Sequence, residues 1–439
     1  MKIGFIGCGY VFDHYMTTLA RHPQLEIAGI TDIDRARAEQ VSAYYNLKVY
    51  ETNEELLADP EVGIVVNLTS IPAHYEVSRT ALEAGKHIYS EKPLTETIDQ
   101  ARALADLAQT RNLRLSAAPS NALSPTVQTL WTLVNQGAVG DVRMVYAEFD
   151  DNPVYLLQPE TWASRSGAPW PYLHEYEMGC TWEHAGYHLT WMCAIFGPVA
   201  RVTAFSKATL PDKTDQPLSP SDTPDFSVAA LEFESGVVGR LTCSIAAPVD
   251  HRMRIIGNKG EAGADTYRHY ESPVRLETFT PFTLKARNLI ALRQHSALGR
   301  VFGIGGRRVP LVLTPPPGLQ TRHDEILGWG PKSWLKRLRR NQFGQQDKCM
   351  GLAELVDAIA TDRPQFPATD FTVHLTELTL AIQGAGPHGT AQELTTRFDP
   401  VALPDRTRKA APDYTRFMQP SALPRLLAQA LGRLGGRRH

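Results

Sequence analysis

Two short stretches carry side chains that could move protons and stabilise charge. Lys92 follows a short apolar run and precedes Pro93, so we expect it at the end of a buried strand. Further on, His184 and His188 lie four residues apart on one predicted helical face, with Glu183 beside them. A histidine can take up a hydroxyl proton near neutral pH, and a desolvated ammonium stabilises a developing alkoxide. These residues predict chemistry at an alcohol or ketone carbon.

Each stretch also has a plainer interpretation. Lys92 could be a surface lysine ahead of a helix that starts at Pro93. The two histidines could be hydrogen-bonded inside a domain interface. Their spacing also suits a metal pair, but the sequence places no third ligand of the right type, so we predict no metal site.

The first residues of the chain predict a strand, a glycine turn and a helix start. The pyrophosphate of a dinucleotide binds to free N–H groups at such a helix start, and side chains at Gly7 and Gly9 would block its approach. Tyr10 and Val11 continue the turn and are predicted to contact the cofactor. Phe12 stands where a third glycine usually lies, which weakens the pattern.

A second predicted strand, residues 26–31, identifies the ribose end of the cofactor. It ends at Asp32, close to the spacing of about 20 residues expected for a ribose-binding acid. Asp32 and its neighbour Ile33 are predicted to contact the adenosine half, and no basic residue precedes Arg35. We therefore expect NAD rather than NADP, with a contact from Arg35 to a 2′-phosphate as the alternative.

Residues 1–119 alternate short apolar runs with helical ones, which is typical of an N-terminal Rossmann domain, a doubly wound parallel sheet covered by helices. Ligands of such sheets collect at the carboxyl ends of the strands. That edge is predicted to hold the glycine turn together with Asp32, Thr69, Ser70, His74, Glu91 and Lys92.

Residues 120–439 are expected to form a C-terminal α+β domain that binds the substrate and forms an oligomer. From Val142 onward, two-residue alternation predicts an open, mostly antiparallel sheet with helices on one face. The uncovered face favours a homodimer or homotetramer. An aromatic loop precedes the histidine helix; Trp170 in it could stack on a sugar or a base, or could pin the loop, and Arg165 could hold a carboxylate or phosphate.

Two basic segments interrupt this domain. Residues from about 279 to 346 form a basic insert, interpreted as a solvated or partly flexible insertion, a site for a phosphate-rich substrate, or a contact with an anionic membrane surface. The tail, from about 407 to 439, mixes apolar and basic residues in a short helical pattern. It could lie on a membrane or on a partner subunit.

Composition limits the class of protein. A chain of 439 residues exceeds the usual single domain, and a formal net charge of -2 without a nucleic-acid motif gives no reason to expect nucleic-acid binding. The five cysteines form no C-x-x-C pair, which favours a reducing compartment. No apolar run is long enough to cross a membrane, and we expect a cytoplasmic protein.

The glycine turn followed by Glu91-Lys92-Pro93 resembles the Gfo/Idh/MocA family, named for glucose-fructose oxidoreductase and inositol dehydrogenase. Residues 70–74, 137–142 and 255–261 resemble further parts of that family, and only the insert and the tail beyond Arg406 fall outside. The resemblance implies that Lys92 contacts both the nicotinamide and the substrate.

The helix that starts near Cys180 resembles the family pattern Asp-x-Gly-x-His-x-x-Asp. Gly186 and His188 match it, whereas His184 and Trp191 stand where the two aspartates would be. The resemblance implies His188 as the general acid/base, with His184 or Glu183 orienting or assisting it.

The resemblance implies an NAD(P)-dependent oxidoreductase that acts on a hydroxyl or keto carbon of a sugar, sugar derivative or nucleotide sugar. One alternative is a redox-neutral glycosidase or lyase that regenerates its NAD at each turnover. A second is a non-catalytic dinucleotide sensor or scaffold. The predicted substrate contacts are Lys92, Arg165, Trp170, Glu183, His184 and His188.

Overall fold

The protein is described by a computed structural model. The described residues are 1–312, 346–420, 424–426 and 429. Part of the predicted basic insert and most of the predicted tail beyond residue 420 lie outside them. Among the described residues, no helix is long and apolar enough to cross a membrane.

The N-terminal sheet is parallel, as predicted. Its strands are β1 Lys2–Ile6, β2 Ile27–Thr31, β3 Val62–Asn67, β4 His87–Ser90 and β5 Leu115–Ala117. They pair in the order β2-β1-β3-β4-β5, so the carboxyl ends of β1, β2, β3 and β4 meet at one edge. The helices that connect these strands are α1 Phe12–Leu19, α2 Arg35–Tyr45, α3 Asn53–Ala58, α4 Ile71–Glu83 and α5 Ile98–Thr110. Both α2 and α3 lie between β2 and β3.

Both faces of this sheet are buried, which explains its continuous apolar strands. Phe5 packs toward α1 in one core, whereas its neighbour Ile6 packs toward α4 and α5 in another. Leu352 and Leu355, from a helix much later in the chain, complete the core on the α1 side. The second half of the chain therefore returns to close the first domain.

The second sheet is mostly antiparallel, again as predicted, and the described residues contribute nine strands to it. Its strands are β6 Val142–Asp150, β7 Val199–Lys207, β8 Phe226–Phe233, β9 Val238–Ser244, β10 Met253–Gly257, β11 Gly260–Ala264, β12 Val274–Thr278, β13 Arg307–Arg308 and β14 Thr390–Glu393. The order is β13-β12-β11-β10-β6-β9-β8-β7-β14, and among the strands that the structure describes only β6 and β9 pair in parallel.

Helices cover one face of the second sheet. The helices in the second half of the described chain are α6 Pro125–Asn135, α7 Tyr172–Met178, α8 Cys180–Phe196, α9 Pro281–Ala286, α10 Ile290–Gln294, α11 Ser296–Val301, α12 Met350–Ala360, α13 Thr369–Gln383 and α14 Asp405–Ala410. Among them, α12 packs on the core of the first domain instead. The long helix α8 packs on β6, β8 and β9, and α13 connects α8 with α5 of the first domain. This packing places α8 beside the carboxyl edge of the parallel sheet.

The residue at the third glycine position has a structural role of its own. Phe12 is fully buried at the start of α1, with its ring 5.3 Å from that of Phe5 and 6.0 Å from that of Tyr45. The helix therefore packs on the sheet through an aromatic cluster.

Phe12→Ala is expected to lower the free energy of unfolding by about 3–5 kcal/mol, because it leaves an aromatic-sized cavity in this cluster. Urea denaturation followed by circular dichroism would measure the loss. Tyr44→Ala, at a side chain exposed by 57%, is the control and should cost far less. Equal losses in the two variants would contradict the packing role.

Candidate active site

A cavity of about 920 Å³ lies between the two domains, within the usual size of ligand pockets. One wall is the carboxyl edge of the parallel sheet, and the opposite wall comes from the aromatic loop, α7 and α8. The sequence-predicted site residues that line it are Gly9, Tyr10, Val11, Asp32, Thr69, Ser70, His74, Glu91, Lys92, Trp170, Glu183 and His184. Gly7, Ile33, Arg165 and His188 are not in the lining.

The glycine turn is built to admit a dinucleotide. Gly7 has φ of +98°, and a Cβ there would lie 2.6 Å from the backbone carbonyl of Leu68, so only glycine fits. A Cβ at Gly9 would meet nothing within 4 Å, which leaves its backbone open to the cavity. No side chain caps the N-terminus of α1. The turn therefore fits the pyrophosphate of a nicotinamide dinucleotide.

Asp32 is held in place at the end of β2. One carboxylate oxygen accepts the N–H of Cys8 at 2.6 Å, and the other accepts that of Asp34 at 2.8 Å. Asp34 also lines the cavity, and a second carboxylate disfavours a 2′-phosphate there. Arg35 points elsewhere, with nitrogens 2.8 Å from Glu39 and 2.6 Å from Glu51. Ile33 is fully exposed, and its predicted cofactor contact stays a prediction.

The aromatic loop is fastened to the first domain through Ser166, a residue that the sequence reasoning missed. Its hydroxyl lies 2.7 Å from Asp13 of α1 and 2.6 Å from Arg37 of α2. Trp162 and Trp170, with ring centroids 4.8 Å apart, flank this turn and line the cavity. We call residues 162–170 the strap, because the segment crosses from one domain to the other over the ribose end.

Arg165 lies on the exposed side of the strap. Its side chain is outside the cavity lining, so the structure gives no support to its predicted contact with a substrate carboxylate or phosphate.

His74 connects two loops of the carboxyl edge. Its Nδ1 lies 2.7 Å from the carbonyl oxygen of Pro93, and its Nε2 lies 3.1 Å from that of Thr69. Burial lowers its pKa, although both carbonyls oppose that effect. The ring borders the cavity, and its contacts fix the loop that bears Thr69 and Ser70 relative to Lys92.

Lys92 lies where the sequence predicted, and its ammonium is in direct contact with the carboxylate of Glu183. Burial by itself would lower the pKa of Lys92, but the carboxylate of Glu183 and further negative groups raise it above its ordinary value. The lysine is therefore a permanent cation in the cavity wall. This ion pair joins the parallel sheet to α8.

A second buried cation, Lys348, was missed because it lies far along the chain, just after the basic insert. Its Nζ is 3.3 Å from Glu91 Oε1, an oxygen that also accepts the hydroxyl of Tyr15 at 2.9 Å. Burial would raise the pKa of Glu91, but Lys348 and Lys92 outweigh it and hold that pKa below its ordinary value. Both buried cations thus have carboxylate partners.

Tyr187 stands beside Lys348 and lines the cavity. Lys348 Nζ donates to its hydroxyl oxygen at 3.3 Å. Because an ammonium can only donate, the phenol proton of Tyr187 is left to donate to another acceptor. The ring stacks on that of Tyr267, with centroids 5.0 Å apart, which fixes its direction.

His188 lies one turn beyond His184 on α8, fully buried in the second domain. Its Nδ1 accepts the indole N–H of Trp191 at 2.9 Å, and its Nε2 donates to the carbonyl of Glu148 at 2.8 Å. Burial lowers its pKa to about 3. Both ring nitrogens are occupied and neither reaches the cavity, so the structure does not support the predicted acid/base and substrate-binding roles.

His184 does border the cavity, next to Glu175 of α7. Its Nε2 lies 3.5 Å from Glu175 Oε2, and its Nδ1 has no hydrogen-bond partner among the described residues. Burial and the charge of Lys92 lower the pKa of His184. Burial and the charge of Glu183 raise the pKa of Glu175 to about 8. Near neutral pH, both groups are therefore uncharged.

The register of α8 explains which residues the sequence reasoning misplaced. The cavity-lining residues of this helix are Cys180, Glu183, His184 and Tyr187, while Leu189 and Met192 enter the core. Shifting the family pattern by one residue puts Glu183 on its first aspartate and Tyr187 on its histidine. Gly186 had suggested the other register.

A parallel sheet with an open glycine turn, an anchored ribose-end acid and a cavity containing two lysines and a tyrosine defines a dinucleotide-dependent oxidoreductase. The comparisons agree. Residues 1–118 match the model of an oxidoreductase family with an NAD-binding Rossmann fold, and residues 127–262 match the GFO/IDH/MocA C-terminal domain. Together the matches span more than half of the chain, which belongs to the Gfo/Idh/MocA family.

Curated relatives include a trans-1,2-dihydrobenzene-1,2-diol dehydrogenase of Oryctolagus cuniculus. It is 28% identical over 262 residues, which cover 58% of this chain and 73% of the relative. The fold is similar to that of a levoglucosan dehydrogenase solved with NADH and levoglucosan, with a TM-score of 0.66 at 18% identity over 90% of this chain and 100% of the other. The fold is also similar to that of a UDP-N-acetylglucosamine 3-dehydrogenase of Acidithiobacillus ferrooxidans, with a TM-score of 0.57 at 20% identity. The match covers 88% of this chain and 98% of the other.

The raised pKa of Glu175 predicts a pH-dependent cost to stability. Between about pH 4.5 and about pH 8 the folded protein keeps a proton on Glu175 that the unfolded chain has lost, so stability falls as pH rises through this window. Glu175→Gln removes that proton difference. The variant should therefore gain stability relative to the native chain as pH rises, measured by urea denaturation at several pH values.

The control for this prediction is Glu160→Gln, at an exposed glutamate in the same part of the chain. Its unfolding free energy should follow the native pH profile. If Glu175→Gln follows that profile as well, Glu175 is not a buried neutral acid.

Proposed function

We propose that the protein is an NAD-dependent dehydrogenase or reductase that interconverts a secondary hydroxyl and a keto group on a sugar, a sugar derivative or a related cyclic polyol. The observation that carries this proposal is the meeting of Lys92, Tyr187 and Lys348 at a cavity that begins at the glycine turn. One cation and one proton-donating hydroxyl are what carbonyl reduction or alcohol oxidation requires. The relatives that are named as dehydrogenases of diols and sugars support it.

In the proposed reaction, Tyr187 exchanges a proton with the substrate oxygen. Its hydroxyl is oriented by Lys348, which occupies the acceptor side of the phenol oxygen. Lys92 stabilises negative charge on the same substrate oxygen, and Glu183 keeps that ammonium directed into the cavity. The nicotinamide, when bound, supplies or accepts the hydride.

The pairing of charges favours an uncharged substrate. Lys92 has Glu183 and Lys348 has Glu91, and Arg268, a third cation in the cavity lining, contacts Asp151. A carboxylate or phosphate on the substrate would have to displace one of these buried carboxylates, which leaves a charge uncompensated. Hydroxyl groups can bind without that cost. Trp162 and Trp170 offer apolar faces for a sugar ring.

A redox-neutral glycosidase or lyase is the second candidate, and the strap is the observation that favours it. Ser166 joins α1 and α2 to the loop that crosses the ribose end of the cavity, so a bound dinucleotide would be enclosed. An enzyme that regenerates its cofactor at each turnover benefits from such retention.

The open face of the second sheet supports assembly into a homo-oligomer. Met144 and Val238 are exposed on neighbouring strands, and the guanidinium of Arg240 lies 4.6 Å from the ring centre of Tyr146. An apolar strip with paired charges suits a symmetric contact with a second copy. The five buried, unpaired cysteines are compatible with a reducing compartment such as the cytoplasm.

Tyr187→Phe should lower kcat/KM by about 10²–10⁴-fold, the usual contribution of a proton-transferring side chain. NADH affinity, measured by fluorescence titration, should stay close to that of the native protein. Tyr146→Phe, on the open sheet face, is the matched control and should retain activity. A fully active Tyr187→Phe variant would remove Tyr187 from the proposed chemistry.

The substrate proposal predicts that NAD is reduced by neutral sugars, polyols or cyclic diols, and less by sugar acids that offer the same hydroxyl geometry. Absorbance of NADH measures this directly, with Lys92→Met as the control that should lose turnover. If product forms from a glycoside while no NADH accumulates, the redox-neutral candidate replaces the dehydrogenase. Faster turnover of sugar acids would contradict the argument from charge pairing.

A further inference from the structure

The first half of the basic insert has a distinctive composition. Residues 279–312 contain no Asp or Glu. Their basic residues are Lys285, Arg287, Arg293, Arg300, Arg307 and Arg308. Such a one-sided stretch is unusual for a solvated surface, where both signs of charge normally alternate.

The structure folds this stretch into α9, α10 and α11, and Arg287 at the end of α9 forms an ion pair with Glu277 of β12. Thr283, Ala286 and Leu292 are buried and anchor the helices. Large apolar side chains elsewhere in this stretch remain exposed. They are Leu284 at 46%, Leu289 at 58%, Ile290 at 61%, Leu298 at 42% and Val301 at 45%.

Single exposed apolar residues are common on protein surfaces, but a cluster of them is not. Here five lie within 18 residues of sequence, interleaved with basic side chains. Within the described ranges, Lys285, Arg293 and Arg308 are exposed and have no carboxylate within ion-pair distance. The surface therefore combines apolar area with uncompensated positive charge.

The start of the tail joins the same surface from more than a hundred residues away in sequence. A Cβ at Gly303 would lie 3.4 Å from Pro424, and Arg307 donates to the carbonyl oxygens of Phe417 and Gln419 at 2.7 and 2.5 Å. Beyond Pro424, Arg425 is exposed and Leu426 is exposed by 59%. Two separate segments thus contribute the same pairing of residue types.

We propose that this surface, residues 284–308 with 424–426, docks on an anionic lipid bilayer. Exposed leucine and isoleucine side chains enter the boundary between headgroups and acyl chains, and neighbouring lysine and arginine side chains bind anionic headgroups. The absence of any acidic residue in 279–312 opposes a symmetric contact between two copies through this surface. Nucleic acid would use the charge but not the apolar side chains.

Flotation of the full chain with vesicles tests the proposal. The protein should float with vesicles of phosphatidylcholine and phosphatidylglycerol but much less with phosphatidylcholine alone, and less at about 0.5 M salt because screening shortens the reach of the charges. Lys285→Glu combined with Arg293→Glu should lower partitioning by more than about tenfold, since each basic residue contributes roughly fivefold. Leu289→Ser combined with Ile290→Ser should lower it on the same vesicles.

Matched controls separate this surface from overall charge and from misfolding. Arg143→Glu combined with Arg408→Glu changes the net charge equally at exposed positions elsewhere, and Tyr44→Ser removes an exposed apolar group from α2. Both should float like the native chain, and all variants should keep its circular dichroism and NADH affinity. No flotation with anionic vesicles at low salt, or equal losses in the controls, would overturn the proposal. The proposal would also be overturned if the protein self-associates and only Leu289→Ser combined with Ile290→Ser abolishes that self-association.

Discussion

The buried contact between Lys92 and Glu183 is the interaction on which the rest of the site depends. It joins the carboxyl edge of the parallel sheet to the helix that faces it, and each partner removes the cost of burying the other. Loss of either partner from such a pair typically costs about 3–5 kcal/mol, because the remaining charge is buried alone. The cavity between the domains therefore depends on a charge pair for its shape as well as for its chemistry.

Charge pairing also fixes the groups next to Lys92 and Glu183. Lys348 and Glu91 form a second pair, and Tyr187 lies next to that lysine with its proton free for a ligand. Glu175 and His184 are only partly exposed but need no charged partner, because desolvation keeps the first protonated and the second unprotonated near neutral pH. The site thus contains cations with fixed partners and neutral acids and bases close by, which suits a reaction whose charge develops on a single oxygen.

Contacts within and between the domains fix these groups relative to one another. His74 holds two loops of the parallel sheet together, Ser166 ties the strap to α1 and α2, and α12 adds Leu352 to the core below the glycine turn. The glycine turn and the cavity wall around Lys92 are consequently parts of one packed unit. Residues with no chemistry of their own, such as Ser166, acquire a role through this arrangement.

The sequence alone determined the two sheets, the family, the glycine turn, the acid at the end of β2 and the position of Lys92. These features depend on local patterns: apolar runs, turn residues, and the rule that parallel strands present their carboxyl ends at one edge. The tertiary structure decided which side of α8 faces the cavity, because Glu183 and Tyr187 turn toward the parallel sheet while His188 bonds to Trp191 and Glu148. It also brought in Lys348 and Ser166, whose partners lie far away in sequence. Local periodicity gives the spacing of residues on a helix, but only the packing of that helix against its neighbours determines its rotation.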